Sequence, residues 1–284
     1  MYKILSKRIL NPTVTEMLIE APLVAAKAKA GQFIILRVDE DGERIPLTIA
    51  GADKATGAVK IIFQTVGATT KKLAEKAEGE SIPDFVGPLG KPTEIKGKKK
   101  VAVVGGGVGC AIALPVAEAL CAAGASVTSI IGFRSRDLVI LEDEFRAVSD
   151  SLIVLTDDGS YGEKGNVTAP LKAMLENGES FDEIITIGPL VMMKFVTLTA
   201  KPFGVPVTVS MNPIMIDGTG MCGGCRLTLQ VDGKCVTKFA CVDGPDFNGY
   251  EVDFDEAMMR GRAYMDFERH AYESTCNLYK KETT

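Results

Sequence analysis

Val101-Ala-Val-Val runs without a break into Gly105-Gly106-Gly107-Val108-Gly109, and an apolar stretch from Cys110 to Ala123 follows. A wholly apolar strand must be covered on both faces, which is a property of parallel sheets. A glycine turn between such a strand and a helix offers backbone amides to a phosphate group. The pattern then repeats. Strand 126–131 leads to Gly132-Phe-Arg134-Ser-Arg136-Asp and a helix over 141–148. Strand 152–155 leads to Thr156-Asp157-Asp158-Gly159-Ser-Tyr161-Gly162 and a helix over 167–176. Strand 183–187 leads to Gly188-Pro189-Leu-Val-Met192-Met193 and another helix, and a last strand spans 205–210. Strands alternating with helices predict a doubly wound parallel sheet over residues 98–210. Ligands of such sheets bind at the carboxyl ends of the strands, where these loops lie. The strict G-x-G-x-x-G fingerprint is not met, because position 110 is Cys. Arg134 and Arg136 stand where an acidic residue would favour the ribose diol of NAD. They suit a 2′-phosphate or are ordinary solvated charges, so NAD(H) and NADP(H) both stay open.

A second motif follows the sheet: Asp217-Gly-Thr-Gly-Met-Cys222-Gly-Gly-Cys225, answered by Cys241. Plant-type [2Fe–2S] sites use C-x4-C-x2-C and a distant fourth Cys. Here Asp217 occupies the first of those positions. Asp232-Gly233 between two alternating runs signals a two-residue hairpin. Folding about it pairs Val231 with Lys234, sets Cys235 opposite Gln230, and brings Cys241 opposite Gly224, beside Cys225. Cys235 then lies six residues up the strand, roughly 20 Å away at about 3.3 Å per residue. The metal candidates are therefore Asp217, Cys222, Cys225 and Cys241. The alternative is structural zinc, but such sites pair two Cys knuckles or add His. The chain has no second knuckle, and its one histidine, His270, lies far along the tail.

Residues 1–97 read differently. Short alternating runs at 13–20, 32–38, 45–49 and 58–65, separated by Gly, Pro and Asp, predict a small β-barrel. One helix, near 69–77, interrupts them. Arg44-Ile-Pro46-Leu47-Thr48 sets a cation and a hydroxyl on a strand, and Val66-Gly67-Ala-Thr69-Thr70 opens the helix. Free amides and two hydroxyls at a helix start suit a pyrophosphate, although a plain N-cap uses the same residues.

The expected fold class is therefore α/β plus β. It comprises an N-terminal barrel (1–97), a doubly wound domain (98–210), a cluster-binding segment (211–250) and a helical tail (251–284). The tail, read as one helix over 254–273, is rich in Met, Tyr and Phe; it either packs back on the domain or presents a surface to another subunit. Cys276 carries no assigned role. A length of 284 residues suits two domains with an appendage, and a net charge of −5 argues against a nucleic-acid partner. No run of 18 apolar residues exists to cross a membrane, and the N-terminus lacks a signal-peptide core. Seven cysteines without a secretion signal fit a reducing cytoplasm with metal-bound thiolates.

Taken in order, Arg44–Thr48, the Gly67 turn with Thr69 and Thr70, Phe85-Val-Gly87-Pro88-Leu-Gly90, the glycine turn at Gly105, Gly106, Gly107 and Gly109, Thr156–Gly162 and Gly188–Met192 resemble the ferredoxin–NADP reductase family. With the C-terminal cysteines, the resemblance narrows to the electron-transfer subunits of dihydroorotate dehydrogenase. It is closer still to the small (alpha) subunits of NADH-dependent reduced ferredoxin:NADP oxidoreductase, also described as sulfide dehydrogenase beta-type subunits. The dihydroorotate subunits carry Cys as first ligand, so Asp217 points to the second branch. The resemblance implies FAD held by Arg44, Pro46, Leu47, Thr48, Val66, Gly67, Thr69 and Thr70. It implies NAD(H) at Gly105, Gly106, Gly107, Gly109, Asp157, Asp158, Gly188, Pro189 and Met192. It further implies a nicotinamide that reduces the flavin by hydride, a flavin that feeds a [2Fe–2S] cluster one electron at a time, and a heterodimeric partner. That partner is a larger flavin and iron–sulfur subunit, with ferredoxin reached through the complex, which would bifurcate electrons. No general acid or base is required. The competing expectations are a dihydroorotate dehydrogenase-type subunit and a non-redox nucleotide-binding module with zinc.

Overall fold

The computed structural model describes residues 1–270, 272 and 273. Seven strands form the first sheet: β1 (Tyr2–Asn11), β2 (Val14–Glu20), β3 (Phe33–Arg37), β4 (Arg44–Asp53), β5 (Ala58–Gln64), β6 (Ser81–Ile82) and β7 (Asp84–Leu89). Their order is β6-β1-β2-β5-β4-β3-β7, and the antiparallel sheet curls into a nearly closed barrel. Alternate residues point inward, so Ile4, Met17, Ile19, Ile34, Leu36, Val59, Ile61, Phe63 and Phe85 fill its interior. A short helix α1 (Pro22–Ala25) follows β2, and α2 (Ala68–Glu75) follows β5 and plugs Leu73 into the barrel. The C-terminal end of α2 is held by Lys7, whose Nζ donates to the carbonyl of Lys76 at 3.0 Å. A cation there complements the helix dipole.

The second sheet has the order β11-β10-β9-β8-β12-β13-β16. Its members are β8 (Lys100–Gly106), β9 (Ser126–Phe133), β10 (Ser151–Thr156), β11 (Glu163–Lys164), β12 (Glu183–Ile187), β13 (Val207–Ser210) and β16 (Asp246–Asn248). All pairs are parallel except β13 with β16. The helices α3 (Cys110–Ala122) and α4 (Glu142–Val148) cover one face; α5 (Thr168–Glu176) and α6 (Leu190–Ala200) cover the other. Val101 and Val103 pack with the first pair while Ala102 and Val104 pack with the second, which is why the strand is apolar throughout. Helix α3 also touches the barrel: Val14, Ala50 and Ile62 join its core cluster.

A separate hairpin follows, β14 (Arg226–Val231) and β15 (Lys234–Phe239), whose Leu227 and Leu229 join one core cluster with Phe33 and Ile35 of the barrel and Val207 and Val209 of the second sheet. Its turn has positive φ at Asp232 (49°) and Gly233 (74°), the conformation that the Asp-Gly pair favours. Val231 faces Lys234 and Gln230 faces Cys235, as the sequence predicts. The ladder stops at Arg226 and Phe239, however, and residues Ala240–Asp243 form a helical turn, α7. Cys241 therefore reaches Cys225 from this turn rather than from a strand position opposite Gly224.

Two expectations need correction. The segment Asp243-Gly-Pro-Asp-Phe-Asn-Gly249, whose composition predicts a loop, contains β16, which adds an antiparallel edge to the parallel sheet. The tail is not one helix over 254–273. Helix α8 (Phe254–Gly261) ends at a glycine, a turn follows at 262–264, and helical geometry resumes at 265. Asp253 caps α8 by accepting from the amide of Glu256 at 2.9 Å. Phe254 and Ala257 pack on the domain, whereas residues 261–270 are exposed. Cys276 lies outside the described residues.

The linker after the barrel is clamped between both units. Thr93 Oγ1 donates to Asp246 Oδ2 at 2.5 Å, and the amide of Lys91 donates to the carbonyl of Gly244 at 2.7 Å. Asp246 is half-buried, and its Oδ1 is buried without a hydrogen-bond partner. Burial raises its carboxyl above the usual value, and Glu183 adds to this; Thr93, Ser210 and Lys98 oppose it. The fold thus favours the protonated acid, and that stabilisation is lost as pH rises through the raised pKa. Asp246→Asn is expected to melt higher than the parent at pH 8, with the gap closing toward pH 4. Melting curves across that range test it; equal curves at all pH values would refute it.

Candidate functional site

The cysteine loop owes its shape to glycines. Gly218, Gly220 and Gly223 have φ of 74°, 84° and 67°. A Cβ on Gly218 would sit 2.7 Å from Leu89 and 2.8 Å from Ile35, so the loop presses directly on β3 and β7 of the barrel. Asp217 organises the turn: Oδ1 accepts from the amide of Thr219 at 2.8 Å and Oδ2 from that of Cys222 at 2.9 Å. These amides, Thr219's first, hold its carboxyl below the usual range. The Sγ atoms of Cys225 and Cys241 lie 3.2 Å apart, and both residues are buried. Burial, then the neighbouring Cys225, pushes the Cys241 thiol up to about 12. Cys222 is exposed, and its Sγ accepts from the amide of Gly224 at 3.5 Å.

Two of the four predicted ligands thus meet. Cys222 and Asp217 stand in the same loop but are turned to backbone amides. Among the described residues no three His, Cys, Asp or Glu side chains gather at metal-holding distance. The donor chemistry nonetheless fits an iron–sulfur group: two facing buried sulfurs, a third on a glycine-rich loop, and a carboxylate at its start. Cys235 is remote as predicted, exposed beside Gln230 with its Sγ 3.2 Å from that amide nitrogen.

At the carboxyl ends of β8 and β12, on either side of the sheet's switch point, the two glycine segments interlock. A Cβ on Gly106 would fall 2.3 Å from Met192 Sδ; one on Gly188 would fall 2.7 Å from Met192 Cε and 3.2 Å from the Gly106 amide. A Cβ on Gly109 would fall 2.5 Å from the carbonyl oxygen of Ile187. Gly107, at φ 56°, faces open space. Gly105–Gly109 and Gly188–Met192 therefore make one bare crevice, the place such sheets use for ligands. Pro189 starts α6 beside it. Cys110 behind it is fully buried, and burial raises its thiol, so it is packing rather than a nucleophile.

Asp157 and Asp158 belong to the neighbouring rim. Their amides donate to the carbonyls of Phe133 (3.0 Å) and Arg134 (3.3 Å). Asp158 Oδ1 accepts from the amide and hydroxyl of Ser160, which lowers its carboxyl. Ser160 Oγ in turn accepts from the amide of Arg136 at 2.9 Å, and the Arg136 guanidinium lies 5.6 Å from the Tyr161 ring. Ser160 and Tyr161 thus shape this rim, and the sequence reading assigned neither a role. The signal was present: Asp-x-Ser is a side-chain-to-backbone turn motif.

In the barrel, Arg44 is exposed and faces Arg37 across the ladder, while Arg37 is taken by Asp84 at 2.7 Å. Arg44, Pro46 and Thr48 share one face of β4 by alternation; Ile45 and Leu47 pack on the interior. Leu47 itself is half-buried. At α2, Thr70 Oγ1 accepts from the amides of Val66 and Gly67, both at 3.0 Å. The amides of Ala68 and Thr69 start the helix and have no intrahelical carbonyl. Gly67 faces open space, Val66 is exposed, and the first turn holds no acidic residue. Such a bare, electropositive helix start fits a diphosphate.

A nearly closed barrel, a doubly wound domain and a C-terminal cysteine segment together make a fold of the FAD-binding ferredoxin reductase type. Residues 212–253 match the iron–sulfur cluster binding domain of dihydroorotate dehydrogenase B. A chain in the structure of the NADH-dependent reduced ferredoxin-NADP oxidoreductase, a system described for flavin-based electron bifurcation, superposes with a TM-score of 0.89 and 46% identity, covering 96% of this chain and 97% of that one. The dihydroorotate dehydrogenase B (NAD(+)) electron transfer subunit homolog of Thermotoga maritima is 47% identical over 95% of this chain and 94% of its own length. A Bacillus pumilus dihydroorotate dehydrogenase B (NAD(+)) electron transfer subunit is 34% identical over 88% of this chain and 96% of its own. The chain belongs to the family of dihydroorotate dehydrogenase B electron transfer subunits and their homologues. An iron–sulfur domain rather than a zinc site is the family's assignment for residues 212–253.

Proposed function

We propose that the chain is an electron-transfer subunit linking NAD(H), FAD and a [2Fe–2S] cluster within a larger oxidoreductase complex. The observation that carries this reading is the contact of the cysteine loop with β3 and β7 at Gly218, which brings sulfur donors against the flavin barrel. FAD held here would supply two-electron exchange with a nicotinamide and one-electron transfer to a cluster. The chain's own task is to place these groups. The start of α2 receives the diphosphate, and the Arg44–Pro46–Thr48 face of β4 supports the flavin. The bare crevice of Gly105–Gly109 and Gly188–Met192 admits a flat ring close to the backbone. The Asp157–Tyr161 rim borders the adenosine side of the nicotinamide cofactor. Asp217, Cys222, Cys225 and Cys241 hold the cluster, which requires the loop to turn Cys222 and Asp217 from their amides to iron.

We assign the complex to the NADH-dependent reduced ferredoxin:NADP oxidoreductase type, with a larger flavin and iron–sulfur subunit as partner and ferredoxin reached through it. Asp217 in place of the first Cys favours this branch over a dihydroorotate dehydrogenase. The six described cysteines are free, which suits a reducing cytoplasm. Among the described residues no helix is long and apolar enough to cross a membrane. Anaerobic purification should yield one FAD, two irons and two sulfides per chain. Zinc without flavin would overturn the proposal. Co-purification from the native source separates the branches: a dihydroorotate-oxidising partner would move the chain to the other. Asp217→Cys is expected to keep two irons and shift the midpoint potential, since ligand type tunes it; an unchanged potential would remove Asp217 from the ligand set.

A further inference from the structure

Residues 244–246 form a joint at which three parts of the chain meet. On the barrel side, the amide of Lys91 donates to the carbonyl of Gly244 at 2.7 Å, and Thr93 Oγ1 donates to Asp246 Oδ2 at 2.5 Å. Thr93 is itself locked to the turn before β3. Its amide donates to the carbonyl of Ala30 at 2.9 Å, and a Cβ on Gly31 would fall 2.1 Å from its Oγ1. On the sheet side, Asp246 pairs with Ser210 across the β13–β16 ladder. The amide of Met211 donates to the carbonyl of Pro245 at 2.9 Å, which closes the base of the segment carrying Asp217, Cys222, Cys225 and Cys241. One carboxyl thus ties the linker of the barrel to the edge of the second sheet, at the foot of the cysteine segment.

The closed joint accepts only one state of that carboxyl. The charged groups that face Asp246 are Glu183 from β12 and Lys98 from the linker; Thr93 from the linker and Ser210 from β13 face it with hydroxyls. Lys98 is committed to Glu183, whose Oε1 also accepts from Thr208 Oγ1 at 2.5 Å. Two carboxyls therefore share one cation. An ionised Asp246 would add an unbalanced negative charge and leave its buried Oδ1 without a donor. Water reaches that oxygen only if the joint parts. Resting on the functional reading above, we infer that Asp246 is a positioning residue for electron transfer: with Thr93 it latches barrel, sheet and cysteine segment together while it keeps its proton, and the latch loosens when the proton leaves. Rising pH then draws the flavin barrel away from the nicotinamide crevice and the cluster loop.

Amide hydrogen exchange on the full chain from about pH 5 to pH 9, corrected for the intrinsic pH dependence of exchange, reads the latch directly. The amides of Lys91 and Met211 report on it, because their bonds span the joint. Their protection should fall about tenfold per pH unit through the window in which the open joint has lost the proton and the closed joint keeps it. Asp246→Asn should hold the low-pH protection throughout. Glu183→Gln removes a like charge and frees Lys98 for Asp246, so the total loss of protection should shrink about tenfold or more. On FAD-loaded protein, flavin bleaching by NADH should slow about tenfold or more over the same window in the parent, and not in Asp246→Asn. Matching exchange profiles for parent and Asp246→Asn would overturn the inference. So would a parent profile left unchanged by Glu183→Gln, a variant that keeps Asp246 and tests the latch even where Asp246→Asn does not fold. Lost protection with an unchanged rate of flavin reduction would overturn the role in electron transfer. A chain that shows these exchange profiles yet binds no FAD would overturn the functional reading and that role with it, leaving only a proton-dependent joint.

Discussion

Cys241→Ala is expected to abolish the cluster, while Cys235→Ala leaves iron and sulfide at the parent level. The difference is geometric. Cys241 Sγ faces Cys225 Sγ at 3.2 Å in a buried pocket, whereas Cys235 is exposed opposite Gln230 near the far end of the hairpin. A sulfur removed from the pocket has no substitute: no other described cysteine lies in the loop except Cys222 and Cys225, which are already assigned. The variant should keep its FAD, since the barrel's interior is a separate cluster of side chains. Iron and acid-labile sulfide assays on the two variants decide it. Equal loss from both would mean that the hairpin register does not govern ligation.

Gly109→Ala carries the second large effect. Its Cβ would lie 2.5 Å from the Ile187 carbonyl oxygen and 2.7 Å from Gly188 Cα. Both are backbone atoms of the adjoining strand end and turn, so no side-chain rotation relieves the clash. Overpacking of this kind costs about 1–3 kcal/mol, and here it forces β8 and β12 apart at the crevice. A cost in that range corresponds to a roughly five- to 150-fold rise in the NADH concentration needed to reduce the flavin. FAD and iron contents should be unchanged. Gly106→Ala makes a useful contrast, because its closest atom is the end of the flexible Met192 side chain. It should be the milder variant. If Gly109→Ala binds NADH like the parent, the crevice is not the nicotinamide site.

How much of this was legible depends on where the signal resides. The parallel strands could be read because burial on both faces leaves no polar position in Val101–Val104. The hairpin could be read because Asp232 and Gly233 accept the positive φ that its turn demands. Strand β16 could not. Its three residues sit between Gly244-Pro245 and Gly249, a context that signals a turn, and they become a strand only because β13 offers an edge. The break in the tail has a local sign, Gly261, a typical helix terminator set within a run of Met, Tyr and Phe that otherwise signals a continuous helix. Within the candidate site, Gly105–Gly109 and Gly188–Met192 were each visible as turns. Their interlocking was not, because it depends on strand order. The links from Ser160 to Arg136 and from Thr93 to Asp246 join segments distant in sequence, and no periodicity announces them.

The central claim is that one chain carries nicotinamide, flavin and cluster in electronic contact. The most direct measurement is the ultraviolet–visible spectrum of the anaerobic protein before and after NADH. The account predicts flavin bands on a broader iron–sulfur absorption, both bleached by NADH. In Cys241→Ala the sulfur-based bands should be absent while the flavin still responds. A coloured protein whose flavin bleaches while its iron–sulfur absorption stays untouched would contradict the transfer step, and a colourless protein would contradict the whole assignment.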